Sequence, residues 1–415
     1  MFMILQRIQL FFGSKGREGK MSEGRMLRSN ECASTNAFGE CLRRPCNERF
    51  RNNIGSNYHS TSDICRNLFV MKLNSLKIIS AALLVAVLVS CGNEEKSNES
   101  NQNILSEYFN YSEPIEGGGV KLIPIETPVG TFKVWTKRFG NNPKIKILLL
   151  HGGPAMTHEY MECFETFFLR EGFEFYEYDQ LGSYYSDQPT DSSLWTTERF
   201  VEEVEQVRKA IGADQSNFYV LGNSWGGILA MEYALKYQNN LKGLIVANMV
   251  ASAPEYGKYA DEVLGKQMPP EVLAEIRALE AKKDFANPRY MELLIPNYYN
   301  EHICRLKEWP DGLNRSIKHA NNTIYTLMQG PSEFGVSGRL THWDIKNRLH
   351  EIAVPTLMIG AKYDTMDPAA MEEQSKMVQK GKFLYCPNGS HLSMWDDQQV
   401  FMNGVVSFVK EVSAQ

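Results

Sequence analysis

The chain has 415 residues, 43% of them hydrophobic and 22% charged, with a formal net charge of −5. That balance excludes a disordered or collagen-like chain, and the acidic total excludes a general nucleic-acid binder, whose surface would be basic. The total conceals a split: residues 1–70 carry a net +5 and the remainder a net −10, and four of the eight cysteines fall in the first 70 residues.

Residues 1–70 are rich in Arg, Asn, Ser and Gly and show no sustained helical or strand period. Cys32, Cys41, Cys46 and Cys65 are separated by 9, 5 and 19 residues, without the C-x₂-C pairs that mark a zinc module. The segment reads as a disordered extension, or as sequence upstream of a start at Met71. From Met71 the chain reads MKLNSLKIISAALLVAVLVSC. Lys72 and Lys77 form a basic region, and residues 78–89 an apolar stretch too short for a stable membrane span. It ends in Leu88-Val89-Ser90-Cys91, which resembles a bacterial lipoprotein signal. The resemblance implies lipid transfer to the Cys91 thiol and cleavage before it. The polar run GNEEKSNESNQN that follows suits a tether. The expected location is the cell envelope, bound through a lipid at Cys91. Gly92 lacks the Asp of an inner-membrane retention signal, which favours the outer membrane in a Gram-negative cell. Such a signal must be N-terminal, which places the expected start at Met71. Counted from Cys91, 325 residues remain with a net charge of −12.

From about residue 118 strands and helices alternate. Strands are predicted over 120–125, 131–137, 144–150, 173–178, 217–221, 241–248, 355–359 and 382–385. Helices are predicted over 159–170, 196–211, 225–237 and 393–412. Phe200, Val201, Val204, Val207 and Ile211 recur at the 3.6 period of a helix packed on a sheet. KILLL and GLIVANMV are almost wholly apolar, as central parallel strands are. The alternation predicts an α/β fold with right-handed crossovers. Between Met249 and Thr341 the strand pattern gives way to Pro-interrupted helical stretches, an insertion of the kind that forms a lid over a site. The body therefore divides into a core over 118–250, a helical lid over 251–342 and the rest of the core over 343–415. Cys163, Cys304 and Cys386 are isolated and odd in number, which argues against a disulfide framework.

Gly222-Asn223-Ser224-Trp225-Gly226-Gly227 follows the apolar strand NFYVL and precedes a helix. That is the setting a G-x-S-x-G nucleophile elbow requires. His151-Gly152-Gly153-Pro154 follows KIKILLL, where a Gly-Gly turn exposes backbone N–H groups. Acyl transfer needs two donors for the developing oxyanion, and these are assigned to Gly153 and Trp225. In this topology the remaining triad members follow in the order acid, then His. His391 is the one histidine after residue 351. The strand TLMIGA is followed by Asp364 and Asp367. Asp364 lies at the strand end, whereas Asp367 precedes Pro368 as a helix N-cap would. Ser224, His391 and Asp364 thus form a candidate nucleophile, base and orienting acid. This chemistry calls for no metal or cofactor, and no metal-ligand spacing is visible.

HGGP, YDQLGSYYSDQP, GNSWGG, GAKYD and GSHLSMWDD together resemble the proline iminopeptidase family of α/β-hydrolases. The likeness is greatest to the branch that includes the tricorn-interacting aminopeptidase, and it extends from about Gly118 to the C-terminus. It implies an α/β-hydrolase fold, with a mostly parallel eight-stranded sheet and a helical lid inserted before the last strands. It also implies an aminopeptidase acting on short peptides. In that family two lid glutamates receive the substrate α-ammonium. By match to YYNEHICRLKEWP and MQGPSEFGVSGRLTHWDI they are Glu301 and Glu333. Two departures bear on proline preference: Ala155 stands where HGGPG has its last glycine, and two tyrosines follow the DQ-G turn. Two other readings remain open: a carboxylesterase or amide hydrolase using the same triad, and a lipoprotein that binds peptides without cleaving them.

Overall fold

The computed structural model describes residues 119–415. The expected leader with its four cysteines, the expected signal segment, Cys91 and the expected tether lie outside the described residues. Eight strands form one sheet: β1 (Val120–Thr127), β2 (Gly130–Phe139), β3 (Lys146–Leu150), β4 (Glu174–Asp179), β5 (Phe218–Asn223), β6 (Gly243–Ala247), β7 (Thr356–Ala361) and β8 (Gly381–Cys386). Their spatial order is β1-β2-β4-β3-β5-β6-β7-β8. β2 runs antiparallel to β1 and β4, and the remaining ladders are parallel. All eight strands expected from the sequence are present, in the α/β-hydrolase arrangement.

The apolar runs are explained by burial on both faces. Leu148 and Leu150 of β3 face one core layer, while Ile147 and Leu149 face the other. β5 and β6 divide in the same way: Val220, Leu244 and Val246 on the first face, Tyr219, Leu221 and Ile245 on the second. Helices Thr197–Ala210 and Trp225–Tyr237 cover the first layer with Phe200, Val204, Ile228 and Leu229. Helices Phe164–Arg170 and Gln398–Ser413 cover the second with Phe164, Phe168, Phe401 and Val405. Each fully buried side chain of this size contributes about 1.5–3 kcal/mol.

Two expected helices are each broken. Over 159–170 a tight turn, His158–Met161, precedes helix Phe164–Arg170. Tyr160 is used there as a strut: its carbonyl accepts from Trp395 Nε1 at 2.8 Å and its hydroxyl reaches the loop after β3. The C-terminal helix is interrupted at Asp397 (φ −131°, ψ 44°), whose carboxylate accepts from Asn388 N at 3.0 Å. In both places a polar side chain serving a distant loop outweighs local helix propensity.

The insertion between β6 and β7 is helical, as expected, with helices Ala253–Tyr259, Pro270–Ala281, Pro288–Leu294, Asp311–His319 and Asn322–Met328. Its two ends are pinned together. Ser252 and Asp344 form an antiparallel bridge, Ala253 N donates to Trp343 O at 2.8 Å, and Ile345 N donates to Ala251 O at 2.9 Å. Pro296, which lacks an N–H, falls where the chain widens into a π-type turn, Ile295–Tyr299. No helix among the described residues is long and apolar enough to cross a membrane.

Candidate active site

β5 ends at Asn223, and Ser224 enters the next helix through φ 57°, ψ −125°. A non-glycine residue at positive φ is strained, and here the surroundings enforce it. A Cβ on Gly222 would come within 1.9 Å of Gly226 O, and one on Gly226 within 2.0 Å of Leu150 O. The elbow glycines therefore let helix, strand and the neighbouring β3 backbone touch. Ser224 N donates to Ala247 O at 3.1 Å, which ties the elbow to the end of β6.

His391 Nδ1 lies 2.9 Å from Asp364 Oδ1, and both residues are buried. The ionised carboxylate can only accept, so the ring proton sits on Nδ1 and Nε2 is the basic nitrogen. Burial alone would lower the His391 pKa. The hydrogen bond and charge of Asp364, helped by the charge of Glu333, outweigh it and raise the pKa above the ordinary histidine value. Asp367 caps the helix Pro368–Met377 by accepting from Ala369 N at 2.9 Å, in the structural role expected for it.

Several partners of this pair are not among the candidate site residues read from the sequence. Asn248, buried and at φ 53°, donates from Nδ2 to Asp364 Oδ2 at 2.7 Å and to Ser390 O at 3.2 Å. Thr365 Oγ1 is 3.1 Å from His391 Nδ1. Asp396 accepts from Ser390 N at 2.9 Å and Arg305 N at 3.0 Å, and so holds the His391 loop against the lid.

The HGGP loop lies against the elbow: a Cβ on Gly152 would sit 3.0 Å from Ser224 Cβ. Gly152 N–H is occupied, donating to the Tyr160 hydroxyl at 2.7 Å, and that hydroxyl donates on to Asn223 Oδ1 at 3.0 Å. The Gly152 N–H is thereby engaged within the protein. Ala155 adopts φ 60°, the left-handed conformation a glycine would take without strain. His151 is buried and its pKa is lowered by desolvation. Its Nε2 accepts from Gln180 N at 3.1 Å, while the Gln180 side chain donates to His151 O at 2.9 Å and accepts from Trp225 Nε1 at 2.8 Å.

The two lid glutamates occupy different settings. Glu333 Oε1 accepts from the Tyr325 hydroxyl at 2.5 Å and Oε2 from the Tyr256 hydroxyl at 3.5 Å. The Tyr256 and Tyr298 hydroxyls also donate to Glu333 O, and Glu333 N donates to the Tyr299 hydroxyl at 3.0 Å. Burial raises the Glu333 pKa, and the charge of His391 opposes the shift. Glu301, by contrast, is 60% exposed and pairs with Arg305 at 3.3 Å, one helical turn away. A solvated carboxylate with a cation partner has no need of a substrate ammonium. The structure thus joins Glu333 to the electrostatics of the site and leaves Glu301 on the surface, against the pairing implied by the family likeness. Its neighbour His302 is buried, with Nδ1 2.9 Å from Tyr363 O, and its carbonyl accepts from His391 N at 2.9 Å.

The two tyrosines after the DQ-G turn are exposed. Tyr184 stacks on His319 (centroids 4.0 Å apart, 12° between planes), and the Tyr185 hydroxyl donates to Glu159 Oε1 at 3.2 Å. Cys163, Cys304 and Cys386 are buried free thiols. Among the described residues no group of three or more His, Cys, Asp or Glu could hold a metal.

Residues 146–398 match the family model of the alpha/beta hydrolase fold. The chain is 82% identical over 292 residues to a proline iminopeptidase of Flavobacterium johnsoniae, covering 70% of this chain and 98% of that one. It is 81% identical over 296 residues to a proline iminopeptidase of Elizabethkingia meningoseptica, covering 71% and 99%. The crystal structure of a proline iminopeptidase from Mycobacterium smegmatis superposes with a TM-score of 0.64 at 27% identity, covering 71% of this chain and 99% of that chain. With a serine at a strained strand-to-helix turn, a buried His–Asp pair whose His391 carbonyl accepts from Asn223 Nδ2 at 3.4 Å, and these relatives, the chain belongs to the proline iminopeptidase family of α/β hydrolases and is a serine hydrolase of the aminopeptidase class.

Proposed function

We propose that this enzyme removes the N-terminal residue, proline included, from short peptides through an acyl-enzyme on Ser224. The observation that carries the reading is Glu333, a carboxylate enclosed by tyrosine hydroxyls and electrostatically coupled to His391. An exopeptidase must recognise a free α-ammonium, and a desolvated carboxylate binds one far more strongly than it binds a neutral, blocked terminus.

With the ammonium on Glu333, the scissile carbonyl is presented to Ser224. His391 Nε2 takes the hydroxyl proton as Oγ attacks. Asp364 holds the imidazole in the Nδ1–H tautomer and stabilises its cationic form. The N–H groups of Gly153 and Trp225 receive the negative charge that develops on the carbonyl oxygen. His391 then returns the proton to the leaving amine. A water, deprotonated by the same nitrogen, releases the acyl group and regenerates Ser224.

The test offers the purified protein prolyl- and alanyl-β-naphthylamide, their N-acetylated forms, and p-nitrophenyl acetate. Cleavage confined to the free-amine amides supports the reading. Equal cleavage of the blocked forms would replace it with a general amidase or esterase, and no cleavage of any of them with a peptide-binding role. The proposed envelope location rests on the Lys72-to-Cys91 segment and its polar tether. Radiolabelled palmitate should be incorporated by the native chain in cells and not by Cys91→Ser.

A further inference from the structure

We infer that Gln180 is the positioning residue of the oxyanion hole, one side chain that sets the distance between its two halves. The inference rests on the assignment of Gly153 and Trp225 as donors under the proposed function. In the sheet β4, β3 and β5 are consecutive neighbours. Gln180 is the first residue past β4, His151 the first past β3, and Trp225 the second past β5. From the outer of the three strand ends, the buried Gln180 side chain spans the other two: Nε2 donates to His151 O at 2.9 Å and Oε1 accepts from Trp225 Nε1 at 2.8 Å.

The chemistry permits only one orientation of this amide. An indole N–H can only donate and a carbonyl oxygen can only accept, so flipping the amide would break both bonds at once. The position therefore requires a donor and an acceptor side by side at the end of a two-methylene stem, which an ionised glutamate cannot supply. Each bond ends on one half of the hole. Trp225 carries one proposed donor on its own backbone, and its ring is also held edge-on to Phe200 at 5.4 Å. His151 precedes Gly153 by two residues, and its ring is fixed by Gln180 N at 3.1 Å. On the other side of the loop, Tyr160 joins Gly152 N to Asn223 Oδ1. That second tie stays in place when Gln180 is changed, so the loss of Gln180 loosens the spacing without releasing the loop.

Donors must lie about 2.7–3.1 Å from the oxyanion, a position the oxygen reaches only in the transition state. A loosened spacing therefore costs turnover and not substrate affinity. The experiment compares the native enzyme with Gln180→Met, which removes both bonds at similar volume, and Gln180→Glu, which keeps the acceptor and loses the donor. The readouts are kcat and KM on prolyl-β-naphthylamide, the rate of Ser224 labelling by a fluorophosphonate, and inhibition by prolinal and by proline. Prolinal places a hemiacetal oxyanion in the hole, whereas proline does not. For both variants kcat and the labelling rate should fall by about 10²-fold. KM and proline affinity should stay within about threefold, and prolinal affinity should fall with kcat. The inference is overturned if kcat stays within twofold, if KM and proline affinity weaken as much as kcat, or if prolinal affinity is retained. It is equally overturned if both variants lose the native circular dichroism spectrum, which would make Gln180 a structural residue. Should the native enzyme cleave no free-amine amide, the aminopeptidase reading fails. The fluorophosphonate rates still decide the role of Gln180, because phosphonylation uses the same hole.

Discussion

The strand-end loops and the lid build their parts of the site in opposite ways. At the strand ends, backbone does the work: Ser224 at φ 57°, Gly222 and Gly226 within touching distance of neighbouring carbonyls, and a His–Asp pair on adjacent loops after β7 and β8. In the lid, side chains do it. Tyr256, Tyr298, Tyr299 and Tyr325 come from three separate segments and converge on one glutamate. A close-packed backbone turn tolerates few alternatives, whereas a cage of hydroxyls can be rebuilt around another substrate. On the proposed reading, reaction type belongs to the sheet and substrate choice to the insertion, which is how one fold serves many hydrolases.

If that division holds, substitutions in the two regions should separate chemistry from recognition. The largest effect is expected at the elbow. Ser224→Ala should lower kcat on every substrate, amide or ester, by about 10⁵–10⁶-fold and abolish fluorophosphonate labelling. Persistent labelling would move the nucleophile elsewhere.

Glu333→Gln should lower kcat/KM on free-amine amides by about 10²–10³-fold, the worth of a desolvated charge-assisted contact, and leave p-nitrophenyl acetate hydrolysis within a few-fold. A parallel loss on the ester would show that the lid glutamate acts on chemistry after all. The pH profile gives a second readout. Binding needs Glu333 ionised and attack needs His391 neutral, and both pKa values are raised from their ordinary ranges. The kcat/KM of the native enzyme should therefore fall as pH drops through these raised values. In Glu333→Gln one of the two groups is gone, and the negative charge that raises the His391 pKa is gone too. The acid limb should then move to lower pH.

Asn248→Ala removes the donor to the second oxygen of Asp364. A hydrogen bond to a charged group is worth about 1.5–3 kcal/mol, so kcat should fall about tenfold or somewhat more, with KM unchanged. A change in KM alone would place Asn248 on the recognition side of the division. The smallest effect is expected for Ala155→Gly. Release of left-handed strain, about 1–2 kcal/mol, is offset by the greater flexibility of the unfolded chain and by loss of a buried methyl group. Thermal stability should change by less than about 1 kcal/mol and proline preference should not change. A shift in preference would make Ala155 part of the pocket wall.

The eight strands were legible because apolar runs flanked by turn residues mark buried parallel strands. Ser224 was legible because a nucleophile elbow needs its glycines at fixed offsets next to a strand. His391 and Asp364 followed from chain order and strand ends. Gln180, Asn248, Thr365 and Tyr160 were not legible. Each acts across strands, and although Gln180 lies in the DQ-G turn, nothing in that turn says that its side chain bridges two loops. The break in the helix after His158 was hidden for the same reason, since Tyr160 is committed to a loop it meets only in the folded chain.

Glu301 and Glu333 show the limit most plainly. Both lie in lid segments resembling those that receive a substrate ammonium, with GPSEF around Glu333 the firmer match. Amino-acid order alone specifies the fold class, the order of triad residues and the extent of the insertion, because these depend on local periodicity and short motifs. Which carboxylate faces the site depends on the surroundings each acquires when distant segments pack. Tyr325 and Tyr256 donate to the Glu333 carboxylate, and Tyr256 and Tyr298 to its main-chain carbonyl, so hydroxyls from three parts of the lid hold it in place. One helical turn brings Arg305 to Glu301 and leaves it in solvent, where the high dielectric reduces the value of its charge to a substrate.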